Sequence, residues 1–362
     1  MESGSGSISF CGMPLHPLAG HHQARRRLAD SNRSGRLPQV LLVTGPAGVG
    51  KQRLALWLAQ LLLCERPAEE PCGACRACRL VLDLAHPDLH WFVPIPRLKT
   101  ADADRQVEEA AELLGEAIAA RRERPWYGPT DGMCSHPLAT ARLLLRRAAL
   151  TPVEGSRKLF VLGEAERLVP QESSPDAANA LLKLLEEPPA DTRILLTTTE
   201  PERVLPTIRS RAVPLRLARL PDAEVRAFAL AHLRPAPAGA ELERLVRSAE
   251  GAIGALVGRG EAAAKATEEA RALLATITAG RSARFERSLK QAPWSARGGF
   301  TDLLDAMAAE LAERARTAPD RETIERLTLG LERLRVARAE AQGNGNPQLL
   351  LATLAGELAE VL

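Results

Sequence analysis

Residues Gly45-Pro46-Ala47-Gly48-Val49-Gly50-Lys51 read G-x-x-x-x-G-K. They follow the apolar run Gln39-Val40-Leu41-Leu42-Val43 and precede residues 52–63, which hold neither Gly nor Pro and are rich in Leu and Ala. Such a loop works only where a strand delivers the chain to the start of a helix. Its glycines let backbone N–H groups turn inward as an anion nest, and the helix N-terminus adds a partial positive charge. The first part of the chain is therefore α/β, with a mostly parallel sheet.

Two more apolar runs fit buried strands, at Lys158–Leu162 and at residues 193–197. Between them residues 177–187 read as a helix stopped by Pro188-Pro189. From about Leu220 the strand signals end. Asp222 is a candidate cap for a helix starting near Ala223; residues 241–248 read as a second helix, and 251–258 start a third. From about Ala266 four or five helices are predicted, separated near Gly280, Pro293, Pro319 and Gly343-Asn344-Gly345. Ile324, Leu327, Leu331 and Leu334 are expected on one helix face. Residues 94–137 read as an insertion between the first and second core strands, with an exposed amphipathic helix over 104–122 and a loop over 125–129.

Lys plus Arg number 48 and Asp plus Glu 45, a net charge of 48 − 45 = +3, too balanced to argue for a nucleic-acid binder. The pairs Arg121-Arg122 and Arg146-Arg147 and the run Arg25-Arg26-Arg27 read as solvated helix faces. No apolar run reaches the length of a membrane span, and the start has no basic-then-apolar order. The expectation is a cytoplasmic protein with a flexible tail and reduced cysteines.

The phosphate loop departs from a working one. Gln52 stands where Ser or Thr would hold Mg²⁺, and Gly163 stands where an Asp would end the next core strand. Both expected protein ligands of the ion are missing, which predicts a loop without Mg²⁺ and without ATP turnover. Glu164 remains where an attacking water would be polarised, and whether ATP or ADP sits in the cradle unhydrolysed is left open.

Cys64, Cys72, Cys75 and Cys78 have the spacing C-x7-C-x2-C-x2-C, four of the six cysteines within 15 residues. Four thiolates in so short a loop suit tetrahedral Zn²⁺ with no open catalytic position; the alternative is redox or incidental thiols. Cys11 and Cys134 read as ordinary small residues. Pro206-Thr207-Ile208-Arg209-Ser210-Arg211 follows the third strand. An Arg there is either a surface ion-pair partner or a finger that reaches a neighbour's γ-phosphate.

Taken together these residues resemble the delta-prime family of bacterial sliding-clamp loader subunits, within the AAA+ class. The resemblance rests on residues 45–51, on the cysteine insertion after the loop helix, and on Asn179-Ala180-Leu181-Leu182-Lys183-Leu184-Leu185-Glu186-Glu187-Pro188. It also rests on Leu205-Pro206-Thr207-Ile208-Arg209-Ser210-Arg211 and covers about residues 14–215. Asn344-Gly345-Asn346-Pro347-Gln348-Leu349 is similar to the start of the family's last helix.

The resemblance implies a tail (1–13), an AAA+ domain (14–217) with a zinc module (64–78) and an insertion (about 94–137), a helical lid (218–265), and a helical collar (266–362). It implies a stator that does not turn over ATP and offers Arg211 to an adjacent ATPase subunit. The implied setting is a five-subunit ring with ATPase subunits and a delta subunit, acting on a sliding clamp and primed DNA as part of the DNA polymerase III holoenzyme, with no membrane. Ala212 replaces the family's Cys after the finger, and Gly254 stands where ATP-sensing members carry Arg. The rivals are the ATP-hydrolysing motor subunit of the same loader and a zinc-dependent nucleic-acid-binding module.

Overall fold

The computed structural model describes residues 18–123, 134–168, 175–233, 236–257, 261–289, 297–342 and 346–362. The expected tail, Cys11, the 125–129 loop and the breaks at Pro293 and 343–345 lie outside them. The chain divides into two compact units, Met1–Gly258 and Arg259–Leu362.

The first unit opens with α1 (His22–Arg33), β1 (Val40–Thr44), α2 (Lys51–Leu63) and α3 (Arg76–Leu82). It continues with β2 (Leu89–Phe92), α4 (Ala103–Glu123), α5 (Leu138–Ala148) and β3 (Lys158–Leu162). A 3₁₀ turn (Ala165–Leu168) leads to α6 (Asp176–Glu186), β4 (Thr192–Thr198), α7 (Pro206–Arg209) and β5 (Val213–Arg216). The five strands form one parallel sheet in the order β2-β3-β4-β1-β5. The register pairs Val40 with Ile194 and Leu42 with Leu196, and Phe160 with Ile194 on the far side of β4. The side chains of β3 are all buried, as are all of β1 except Thr44 and all of β4 except Arg193. They therefore read as continuous apolar runs, as expected of a parallel sheet covered on both faces. This is the α/β class expected, with its parallel sheet. Helix α2 is buried all round except at Gln52, Arg53 and Leu62, so its Leu-rich sequence lacks a polar face.

Two expectations change. The second strand in chain order is β2, so the insertion lies between β2 and β3 and not between the first two core strands. Helix α4 is amphipathic as expected, with Val107, Ala110 and Leu114 buried on one face, but Arg121 is 7% exposed with its guanidinium over the Trp91 ring. The reading of Arg121 as a solvated residue fails because its apolar stem and planar head pack on an aromatic.

Helices α8 (Asp222–His232), α9 (Gly239–Ala249) and α10 (Ile253–Val257) have a core of their own, built from Leu220, Val225, Phe228, Leu245, Val246 and Leu256. The second unit is all helix among its described residues: α11 (Glu261–Ala279), α12 (Arg281–Leu289), α13 (Arg297–Thr317), α14 (Arg321–Gln342) and α15 (Pro347–Val361). Leu274, Phe300, Met307, Leu311, Leu351 and Leu358 form its centre. Asn346 caps α15 by accepting from the N–H groups of Gln348 and Leu349, with Pro347 at the first helical position. Leu327 and Leu334 face this core but Ile324 is 41% exposed. At 100° per residue it lies about 70° from the centre of the stripe those two leucines mark, in the helix's first turn.

Candidate functional site

Because the strands are parallel, the ends of β1, β3 and β4 open on one edge of the sheet, where ligands of such folds bind. The glycine loop leaves β1 there. Gly45 has φ 151 and a side chain on it would meet the Leu217 carbonyl at 2.5 Å; Gly48 and Gly50 have φ 72 and 107. Gly50 caps α2, so Lys51 is the first residue of the helix. The His21 ring contacts the Val49 carbonyl through Nε2 at 2.8 Å.

Lys51 is turned back on its own loop. Its Nζ donates to the carbonyls of Gly45 at 2.8 Å and Pro46 at 2.7 Å, and the residue is buried. Burial pushes its pKa down to about 8, against the opposing charges of Glu166 and Glu164. Glu166 is itself buried; one carboxylate oxygen accepts from the Thr199 hydroxyl at 2.9 Å and the other has no hydrogen-bond partner.

Gln52 and Gly163 turn out to be neighbours. A Cβ built on Gly163 would sit 3.0 Å from Gln52 Nε2. The amide thus lies in the space that an Asp side chain at the end of β3 would enter, and Gln52 Oε1 is buried with no hydrogen-bond partner. The backbone of Gly163 is held from both sides, its N–H by Phe92 O at 2.9 Å and its carbonyl by His136 Nε2 at 2.8 Å. Burial holds the fully enclosed His136 well below the usual imidazole range, at about 4. Glu164, with φ 54, is paired to Arg167 at 2.8 Å.

Gly254 in α10 packs directly on the loop. Its N–H donates to Gly48 O at 2.9 Å, and a Cβ on it would lie 2.5 Å from Gly48 Cα. No side chain fits there in this arrangement, an arginine included. Two of the three ammonium donors of Lys51 are thus engaged by the loop's own carbonyls, and α10 lies against the loop at Gly48. The residues present do not fit Mg²⁺ as they stand, because an amide and a glycine replace its hydroxyl and carboxylate.

The four cysteines converge as their spacing predicts. Their Sγ atoms all lie within 4.8 Å of one another, with Cys64 and Cys75 3.9 Å apart. Tetrahedral thiolates at about 2.3 Å from zinc stand about 3.8 Å apart, so the cluster fits a closed four-sulfur site. Backbone N–H groups of Arg66, Cys72, Cys75 and Cys78 point at the sulfurs over 3.3–3.5 Å. Such donors favour the thiolate: those of Ala74 and Cys75 draw Cys72 down to about 6, whereas burial raises Cys64 and Cys78. Cys75 caps α3, and the loop is tied down where Glu70 accepts from Trp57 Nε1 and Arg25, both at 2.6 Å.

Arg211 is not part of the loop constellation. Its Nε donates to Glu186 Oε1 at 2.8 Å, Nη2 pairs with the same oxygen, and Nη1 donates to Thr207 O at 2.7 Å. Glu186 ends α6, inside the string Leu184-Leu185-Glu186-Glu187-Pro188. Residues Glu186, Glu166 and His21 escaped sequence reasoning. Only Glu186 had a signal, its place in that string beside a helix stop.

The protein-family profile described as DNA polymerase III, delta subunit, matches residues 20–221. The chain is 36% identical over 206 residues to DNA polymerase III subunit delta' of Pseudomonas aeruginosa, 57% of this chain and 50% of that one. It is 31% identical over 214 residues to DNA polymerase III subunit gamma/tau of Mycobacterium tuberculosis, 58% of this chain and 30% of that one. The match thus spans about half the length of the delta' relative. A DNA polymerase III gamma subunit-related protein of Thermotoga maritima aligns in three dimensions with 15% identity and a TM-score of 0.45, over 92% of this chain and 99% of that one.

Proposed function

The chain belongs to the DNA polymerase III delta-subunit family, and from that premise we propose that it is a delta-prime-type, non-hydrolysing subunit of a sliding-clamp loader. In this reading its nucleotide loop is retained as structure. Its contribution to catalysis is Arg211, offered to ATP bound on a neighbouring ATPase subunit. The observation that carries the reading is the pairing of Gln52 with Gly163, an amide beside a glycine in place of a hydroxyl and a carboxylate, together with Gly254 packed on Gly48 where no side chain fits. A site with Gln52 and Gly163 at those positions lacks the hydroxyl and the carboxylate that hold the metal for hydrolysis.

Arg211 would stabilise charge on the γ-phosphoryl group during transfer, a role worth about 10³–10⁵ in rate at the one site it serves. Cys64, Cys72, Cys75 and Cys78 would hold zinc as a closed structural site, fixing the 64–78 loop against α1 and α2. In the ring the partners would be ATPase subunits and a delta subunit, and through them the clamp and primed DNA.

The test is turnover. The purified chain with Mg-ATP is expected to show no steady hydrolysis. The complex assembled with its ATPase partner should lose most of its clamp-dependent turnover at the shared site on Arg211→Ala. Steady hydrolysis by the lone chain would favour the motor-subunit rival instead, and normal turnover in an assembled Arg211→Ala complex would remove the finger.

A further inference from the structure

The insertion helix α4 has no part in the function above, yet it walls a cavity of about 280 Å³ against the edge strand β2 and the end of α5. Leu89, Leu114 and Ile118 supply apolar walls, and Arg122, Arg147 and His90 reach the same space. Among the described residues no Asp or Glu lines it. The guanidinium of Arg122 donates to Leu84 O at 2.7 Å through one nitrogen. Arg147 is half-buried with its guanidinium 5.7 Å from the Phe92 ring centre, and it makes no side-chain hydrogen bond or ion pair among the described residues. Burial accordingly lowers the pKa of Arg147, and burial together with the Arg147 charge holds His90 neutral, at about 4.

A half-buried guanidinium that packs on a ring and pairs with no protein acceptor among the described residues keeps its N–H donors available to an anion that enters the cavity. We propose that this cavity is a binding site for a small ligand carrying an oxyanion on an apolar body, the oxyanion held by Arg147 and Arg122 and the body by Leu89, Leu114 and Ile118. The planar fork of Arg147 suits a carboxylate or a phosphate oxygen pair. The volume sits near the lower end of the roughly 300–1,000 Å³ of ordinary ligand pockets, which leaves room for a ring-sized body beside the anion. Two sources share this chemistry, the C-terminal residue of a peptide and a phosphorylated small molecule.

The full chain is titrated by calorimetry with N-acetyl-L-phenylalanine, phenyl phosphate and inorganic phosphate. Thermal unfolding is followed in parallel, since a ligand of the folded state raises the midpoint. At least one aromatic oxyanion is expected to bind at least tenfold more tightly than inorganic phosphate. Preference for the carboxylate points to a peptide terminus and preference for the phosphate ester to a phosphorylated small molecule. Arg147→Gln should weaken that binding at least tenfold without lowering the melting temperature, because no partner is orphaned. Gly115→Leu gives an independent check, since Gly115 lines the cavity and a Cβ on it meets nothing within 4 Å. Its side chain should fill the space and abolish binding with both arginines intact. Absence of binding by both aromatic probes, inorganic phosphate bound as tightly as either, or unchanged affinity in both variants overturns the proposal.

Discussion

At the scale of single residues, departures that look separate in sequence are one packing event. Gln52 and Gly163 lie 111 positions apart, yet the amide of one fills the space beside the other. Losing the hydroxyl and losing the carboxylate are therefore not two independent signs against Mg²⁺. The glycine makes room for the amide. Lys51 follows the same logic. Its folded pKa of about 8 lies below the unfolded value of 10.5, so between those values the unfolded chain binds more protons and stability rises with pH. Chemical denaturation from pH 8 to 10.5 should show that rise in the wild type relative to Lys51→Met; parallel curves would mean the ammonium is not desolvated. Glu186 is the second residue whose role only contacts reveal. By accepting from Nε it holds Arg211 in one orientation, a positioning role for the proposed finger. In the assembled complex Glu186→Ala should lower kcat by less than Arg211→Ala does and leave KM for ATP in place. In the Arg211→Ala background it should cost nothing more, whereas additive losses in the double variant would mean that Glu186 acts elsewhere.

At the scale of elements, what was legible followed from burial. Strands β1, β3 and β4 are covered on both faces, so their apolar runs announced them, and the G-x-x-x-x-G-K loop fixed the strand–loop–helix order. Strands β2 and β5 were missed for a physical reason. Each has four residues and lies at an edge; β5 carries Pro214 and Val213 is 48% exposed, so it shows neither a run nor an alternation. The buried run Trp91-Phe92-Val93 at the end of β2 is cut short by Pro94 and merges with the insertion. The contact of α10 with the loop was invisible as well, because a glycine that meets another glycine leaves no periodic signal. That contact has a direct consequence. Gly254→Ala places a Cβ 2.5 Å from Gly48 Cα, backbone against methyl, which only a shift of α10 relieves. The variant should lose about 1–3 kcal/mol by denaturant titration. Amide exchange should quicken over Ile253–Val257 while the sheet stays protected. Wild-type exchange in that helix would show that the two glycines do not hold it.

At the scale of the whole molecule, the sequence already separates a mixed α/β part from a purely helical one, and the structure gives each compact unit apolar cores of its own. The helical face around Ile324 was placed correctly only in part, since sequence period locates a stripe but not which end of a helix its neighbours cover. Separate cores predict separate responses to damage. Leu351 is fully buried in the second unit, and truncating such a leucine costs about 2–5 kcal/mol through lost transfer energy and the cavity left behind. Removing the proposed zinc from the four cysteines is the matching injury to the first unit, where Cys64, Cys75 and Cys78 belong to the core. Exchange mapped by mass spectrometry should then show Leu351→Ala loosening amides over residues 261–362, with 18–257 unchanged. A chelator should do the reverse, beginning at α2 and α3. If either perturbation loosens both halves to the same extent, the two cores unfold as one cooperative body and the division at Gly258 is geometric only.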